Sequence, residues 1–253
     1  MNMSFGHLLD LASLTFIVGS LLSIAAVVRF RPNQFRLLAN AALPIGLVGF
    51  LIGVVSMLAA VSDPDRIAPA LAVAILTVLY SGAVRLVLSD TLNQPVETEH
   101  SMTGKVLGTL GFLAMTMWAM VAVSPAGAIV FWEPQVALTL ISIAAVILGV
   151  GRALNLQYLT GWANKLVGLA WLGFTAGIVA ALPNLDTPAS LGPALAFSIL
   201  SLLYALIALI LGLIWMPRAM TATDGSLALG LSLGAPFVVL VSLTLAGLAI
   251  TVF

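Results

Sequence analysis

Long apolar runs separated by short polar turns make up nearly the whole chain. Eight stretches, roughly 8–29, 37–60, 67–89, 104–124, 131–153, 163–182, 190–215 and 227–251, are apolar almost throughout. About 20 such residues are enough to cross a hydrocarbon core as a helix. The runs are continuous and do not alternate every second residue, so the pattern predicts membrane helices and not barrel strands. Pro44 and Pro236 fall inside runs, which lipid tolerates because neighbouring helices re-satisfy the freed backbone groups. The expected fold is all-α and polytopic, with eight transmembrane helices.

The charges sit in the turns, and their sign alternates. Arg29, Arg31 and Arg36 lie between the first two runs. Arg85 and Lys105 flank the third link, Arg152 and Lys165 the fifth, and Arg218 the seventh. On the opposite side the one basic residue is Arg66, against Asp10, Asp63, Asp65, Glu133 and Asp186. Basic loops stay in the cytoplasm, so the pattern predicts both termini outside.

A second regularity is internal. The stretch from Ala39 to Tyr80 returns 124 positions later, from Ala163 to Tyr204, without a gap. Gly49, Phe50 and Gly53 fall on Gly173, Phe174 and Gly177, and Pro64 falls on Pro188. Ile75-Leu76 falls on Ile199-Leu200, and Leu79-Tyr80 on Leu203-Tyr204. Matched Gly, Pro and Tyr at one constant offset predict a tandem duplication. The expected organisation is a first repeat at 1–100, which ends in a cytoplasmic linker, a second at 101–218, and a last helix in 219–253. Four spans per repeat keep the orientation, so the repeats are parallel and unlike those of inverted-repeat transporters.

Composition narrows the chemistry. Of 253 residues, 62% are hydrophobic and only 7% charged, whereas soluble domains carry about 25% charged residues. With no cysteine in the chain, neither a disulfide scaffold nor a thiolate metal site is possible. A net charge of zero and the lack of a basic stripe exclude a nucleic-acid partner. No positive stretch precedes the first apolar run, so no cleaved signal peptide is expected.

The longest polar segment, 89–103, contains Glu97, Glu99 and His100. A solvated linker is its plain reading, and a metal or contact site the sharper one. No carboxylate, lysine or histidine falls at mid-membrane depth, where such groups mark ion paths. The polar groups there are hydroxyls: Ser13, Thr15, Thr77, Tyr80, Ser81, Thr175, Ser198, Ser201 and Tyr204. No nucleophile–base pair, phosphate loop or metal spacing appears, so the chain is read as not an enzyme, with no catalytic residue, metal or cofactor.

Gly49 with Gly53, and Gly173 with Gly177, are four-residue spacings of small residues that let helix backbones approach. Pro44, near the start of the second run, is a candidate helix bend. Asn40 and Asn164, with the hydroxyls, are what a substrate cavity between the repeats would draw on, although capping is their plain reading.

The second and third runs resemble the last two membrane helices of the MotA/TolQ/ExbB proton-channel family. The likeness is carried by Leu43-Pro44-Ile45-Gly46-Leu47-Val48-Gly49-Phe50-Leu51-Ile52-Gly53, then the turn Asp63-Pro64-Asp65. It continues through Ala70-Leu71-Ala72-Val73-Ala74-Ile75-Leu76-Thr77-Val78-Leu79-Tyr80-Ser81-Gly82. Leu11 to Ser20 is similar to another helix of that family, and 104–132 would be its first helix leading into repeat two.

The resemblance implies a multi-pass protein of the bacterial inner membrane, in contact with membrane lipid and oligomeric. It would act as a channel or stator subunit coupling proton or sodium flow to a partner. That partner would be a single-span protein of the MotB/ExbD/TolR type with a membrane Asp. Thr77, Tyr80, Thr175, Ser201 and Tyr204 would line the pore or the contact with the partner helix. The pattern departs where the family's pore Thr is Phe50, or Phe174 in repeat two. Its second Thr, kept as Thr77, becomes Ser201, and the large cytoplasmic domain is reduced to 29–36. A non-conducting scaffold derived from that fold, or a small-molecule carrier, are the alternative expectations.

Overall fold

The computed structural model describes residues 10–28, 35–59, 64–93, 101–124, 127–153, 162–181 and 188–216. The expected eighth span, the Glu97, Glu99 and His100 cluster, and Arg29, Arg31 and Arg218 lie outside the described residues.

Among the described residues the chain is all-helical, with no strand. Seven α-helices follow in order: α1 (Leu11–Val27), α2 (Phe35–Ala59), α3 (Pro64–Val87), α4 (Met102–Val123), α5 (Pro134–Ala153), α6 (Trp162–Ala181) and α7 (Pro188–Trp215). Short 3₁₀ turns, Ser89–Asn93 and Gly127–Phe131, precede α4 and α5. Among the described residues, five segments are long and apolar enough to cross a membrane: Phe35–Ala59, Pro69–Val87, Met102–Val123, Gly127–Val146 and Leu195–Trp215. The apolar parts of α1 and α6, Leu11–Val27 and Lys165–Val179, are shorter. At 1.5 Å per residue α1 spans about 25 Å, just under the hydrocarbon thickness.

Local chemistry sets the helix starts. The Asp10 carboxylate accepts from the Ser13 N–H at 2.7 Å and caps α1. Ser101 Oγ accepts from the Gly104 N–H at 3.1 Å and caps α4. Both satisfy amides that the helix itself leaves unpaired. The acidic turn is expected to give way to helix near residue 67, but α3 already begins at Pro64 and α7 begins at its counterpart, Pro188. Proline is at ease there because the first helical N–H has no intrahelical acceptor. Pro69 therefore falls inside α3.

The core runs along α2, which is buried on nearly every side from Leu37 to Met57. Helix α2 packs most closely on α3 and also on α7, while α6 packs on α7 and α1 on α4. The α1–α4 contact is built on glycines. A methyl group at Gly108 would collide with Val27, and one at Gly111 would sit 2.5 Å from Ser23 Oγ. Backbones that approach this closely gain dispersion contacts, the main source of helix association in lipid. Large apolar side chains on the outer faces of α1, α3, α4 and α5, such as Leu22, Leu86, Leu110 and Ile141, remain exposed. That pattern suits a lipid surround.

Candidate functional site

The described residues gather the sequence-derived candidates into two separate helix pairs, α2 with α3 and α6 with α7. In the first pair, α2 turns its glycines toward α3. A methyl group at Gly49 would sit 2.7 Å from Thr77 Cγ2, 2.8 Å from Thr77 Cβ and 2.9 Å from Phe16 Cε1. One at Gly53 would sit 2.7 Å from the Ala74 Cβ, and one at Gly46 would collide with Ser81. In the second pair, a methyl at Gly173 would sit 2.7 Å from Ser201 Cβ, and one at Gly177 would collide with Ser198. Gly49 with Thr77 and Gly173 with Ser201 thus meet in the same way, one constant offset apart.

The hydroxyls are engaged close to home. Thr77 Oγ1 donates to the Ala74 carbonyl at 2.7 Å and Ser201 Oγ to the Phe197 carbonyl at 2.8 Å. Ser81 Oγ donates to the Val78 carbonyl at 3.0 Å, and Ser13 Oγ reaches across from α1 to the Val73 carbonyl at 3.3 Å. Thr77 and Ser201 are fully buried between helices. Thr175 is on the exposed face of α6 and donates to the Trp171 carbonyl at 2.9 Å. It joins neither cluster.

Tyr80 and Tyr204 bind the backbone segments that precede α1 and α5. The Asp10 N–H donates to the Tyr80 hydroxyl at 3.2 Å, which ties the start of α1 to α3. The Glu133 N–H donates to the Tyr204 hydroxyl at 3.0 Å, and that hydroxyl donates to the Phe131 carbonyl at 2.5 Å. Tyr204 therefore staples the turn before α5 onto α7. Pro44 lies inside the continuous α2, where its ring removes one backbone hydrogen bond.

A small recess opens between α1, α2, α3 and α4, lined by Ser13, Phe16, Gly49, Val73, Thr77 and Trp118 among others. It is mostly apolar. Both of its hydroxyl protons are directed at α3 carbonyls, so Ser13 and Thr77 offer the recess acceptor lone pairs. Among the described residues no three His, Asp or Glu side chains lie together as metal ligands would. The buried hydroxyls of Ser20, Ser56 and Ser124 have no hydrogen-bond partner there. Of these, Ser20 and Ser56 sit inside apolar runs, and their isolation follows from packing that the sequence alone does not reveal.

Phe50 and Phe174, one constant offset apart, are both buried in the core. Phe174 meets Trp171 edge-to-face, with ring centroids 5.6 Å apart.

No family model matches the chain, and no solved structure matches it. Among curated proteins, the chemotaxis protein PomA of Vibrio alginolyticus is 41% identical over 68 residues, which cover 27% of this chain and 25% of that protein. The chain thus matches about a quarter of the length of that relative, and the likeness is to part of a protein named for chemotaxis.

Proposed function

We propose that this chain is a MotA/TolQ/ExbB-like subunit of a bacterial inner membrane, a channel or stator component that couples proton or sodium flow to a partner protein. The 68-residue likeness to a chemotaxis protein carries the reading, because chemotaxis is where the MotA side of the motif resemblance leads. Two further observations support it. Several helices are long and apolar enough to span a membrane. The Gly49–Thr77 and Gly173–Ser201 contacts recur at one offset, as a tandem duplication of a two-helix unit would require.

On this reading the carrier of the ion is an Asp on a single-span partner. Thr77, Tyr80, Ser201 and Tyr204 border the path of its helix, and Pro44 bends α2 to admit it. A tagged chain extracted from its native membrane in mild detergent should bring with it a small one-span protein with an Asp near the start of that span. Recovery of the bare chain would sink the proposal.

The second reading is a non-conducting scaffold of the same ancestry. A specific observation favours it: Thr77 and Ser201 are buried and already bonded to carbonyls of their own helices. Ion flux into vesicles that hold the chain with its co-purified partner separates the two, since a scaffold gives no flux above that of empty vesicles.

A further inference from the structure

The helices related by the constant offset are not equally covered. Helix α2 corresponds to α6, and α3 to α7. Within the chain α2 packs on α7, and on each the side opposite its glycine-and-hydroxyl seam is buried. At 3.6 residues per turn, Val48, Leu51 and Val55 lie on the side of α2 away from Gly49 and Gly53. Ile199, Leu203 and Ile210 likewise lie on the side of α7 away from Ser198 and Ser201.

All six are buried, Val48 at 0% exposure and Leu203 at 0%. Their counterparts on α6 and α3 are open. Leu172 and Val179 are 54% and 63% exposed, and Thr175 between them is exposed too. On α3, Ile75, Leu79 and Leu86 are 52%, 51% and 76% exposed. The buried side of α7 therefore has its counterpart, exposed, on α3. The buried side of α2 has its counterpart, exposed, on α6, where Thr175 stands at the position of Leu51. Ile75 and Ile199 are the same residue, as are Leu79 and Leu203, and Val55 and Val179.

We infer that α3 of one copy of this chain packs on α6 of a second copy, in the manner of α7 on α2 inside each chain. The inference rests on the duplication invoked above and not on ion conduction. Two surfaces that differ, each repeated at one end of the chain, make a head-to-tail contact, which either closes into a ring or runs on as a filament. A closed ring built this way holds an even number of two-helix units, because every chain contributes two. Burial of these faces by lipid alone is the competing outcome, since lipid is as apolar as leucine and needs no protein partner.

The test uses the full chain in its native membrane. The chain has no cysteine, so introduced thiols report without background. Ile75→Cys or Leu79→Cys on α3 is combined with Leu172→Cys or Thr175→Cys on α6. The thiols are then oxidised with copper phenanthroline or bridged with a short bis-maleimide. At least one double variant should run at twice the single-chain mass or higher, with each single variant remaining at single-chain mass. Monomer from every double variant, as lipid, a foreign helix or residues 217–253 covering α6 would give, overturns the inference. Dimers from single variants would mean a symmetric contact and overturn it as well. Because the readout is covalent mass, a chain that cross-links without ion flux sinks only the channel reading. One that supports flux without cross-linking sinks only this one.

Discussion

The sharpest stability test contrasts two glycines on the same helix pair. Gly49 and Gly82 both sit inside membrane helices, yet only one has neighbours. Nothing lies within 4 Å of a methyl group added at Gly82, so Gly82→Ala collects the helix preference of alanine over glycine, about 0.5–1 kcal/mol in its favour. The same methyl at Gly49 meets Thr77 Cγ2 at 2.7 Å, Thr77 Cβ at 2.8 Å and Phe16 Cε1 at 2.9 Å. Neither neighbour yields easily. Thr77 is β-branched, which limits its χ1, and Phe16 is fully buried in the core.

Overpacking of this kind costs about 1–3 kcal/mol. After the helix preference is subtracted, Gly49→Ala should lose roughly 0.5–2 kcal/mol, and the gap between the two variants should be about 1–3 kcal/mol. Reversible unfolding of the purified chain in mixed detergent and SDS micelles measures both against wild type. Equal stability of the two variants, or a Gly49→Ala variant more stable than wild type, would refute the close approach of α2 to α3. The same logic applied to Gly168, which is also open, predicts that Gly168→Ala stabilises.

Both tyrosine staples should register as lost stability when the hydroxyl is removed. Tyr204→Phe removes an acceptor for the Glu133 N–H and a donor to the Phe131 carbonyl, and should cost about 1–3 kcal/mol. Tyr80→Phe removes the acceptor that the Asp10 N–H meets at 3.2 Å and should cost at least about 0.5–1 kcal/mol; wild-type stability of either variant in the same unfolding assay counts against the assigned bonds. Asp10→Ala removes the cap on α1 and should cost about 1 kcal/mol, with Asp10→Asn near wild type. Thr77→Val keeps the shape and deletes only a bond to the residue's own helix, so stability should stay within about 0.5 kcal/mol. A fall in ion flux from vesicles holding that variant with its partner then puts the Thr77 hydroxyl on the path, and flux equal to that of a conducting wild type takes it off the path.

Hydropathy along the chain reveals whatever depends on neighbours in sequence. Continuous apolar runs announce helices because each must satisfy its own backbone in lipid, and the described residues are indeed helical wherever those runs fall. The start of α1 is less legible. The apolar run begins near residue 8, but the Asp10 carboxylate captures the Ser13 N–H and the helix begins at Leu11, which leaves α1 shorter than its run. The start of α3 departs in the other direction, because Pro64 suits a first helical turn as well as a loop.

Contacts between distant positions are a different matter. That Tyr80 meets Asp10, or that Tyr204 meets Phe131, depends on where whole helices come to rest. Burial is less legible still. Ile75 and Ile199 are the same residue in matching surroundings, yet one is 52% exposed and the other 5%. Hydropathy cannot separate them, because a face that meets lipid and a face that meets another helix call for the same side chains. On the inferred contact their difference comes from the order of helices along the chain: α7 has α2 before it in the same polypeptide, whereas α3 and α6 would be the two surfaces left over when that contact is made once. A duplicated chain that satisfies its repeated contact once internally must leave one copy of each half unsatisfied. If the repeat at 124 positions is a duplication, the exposure of Leu79 and Leu172 follows from it, and the inferred second copy is what would cover them.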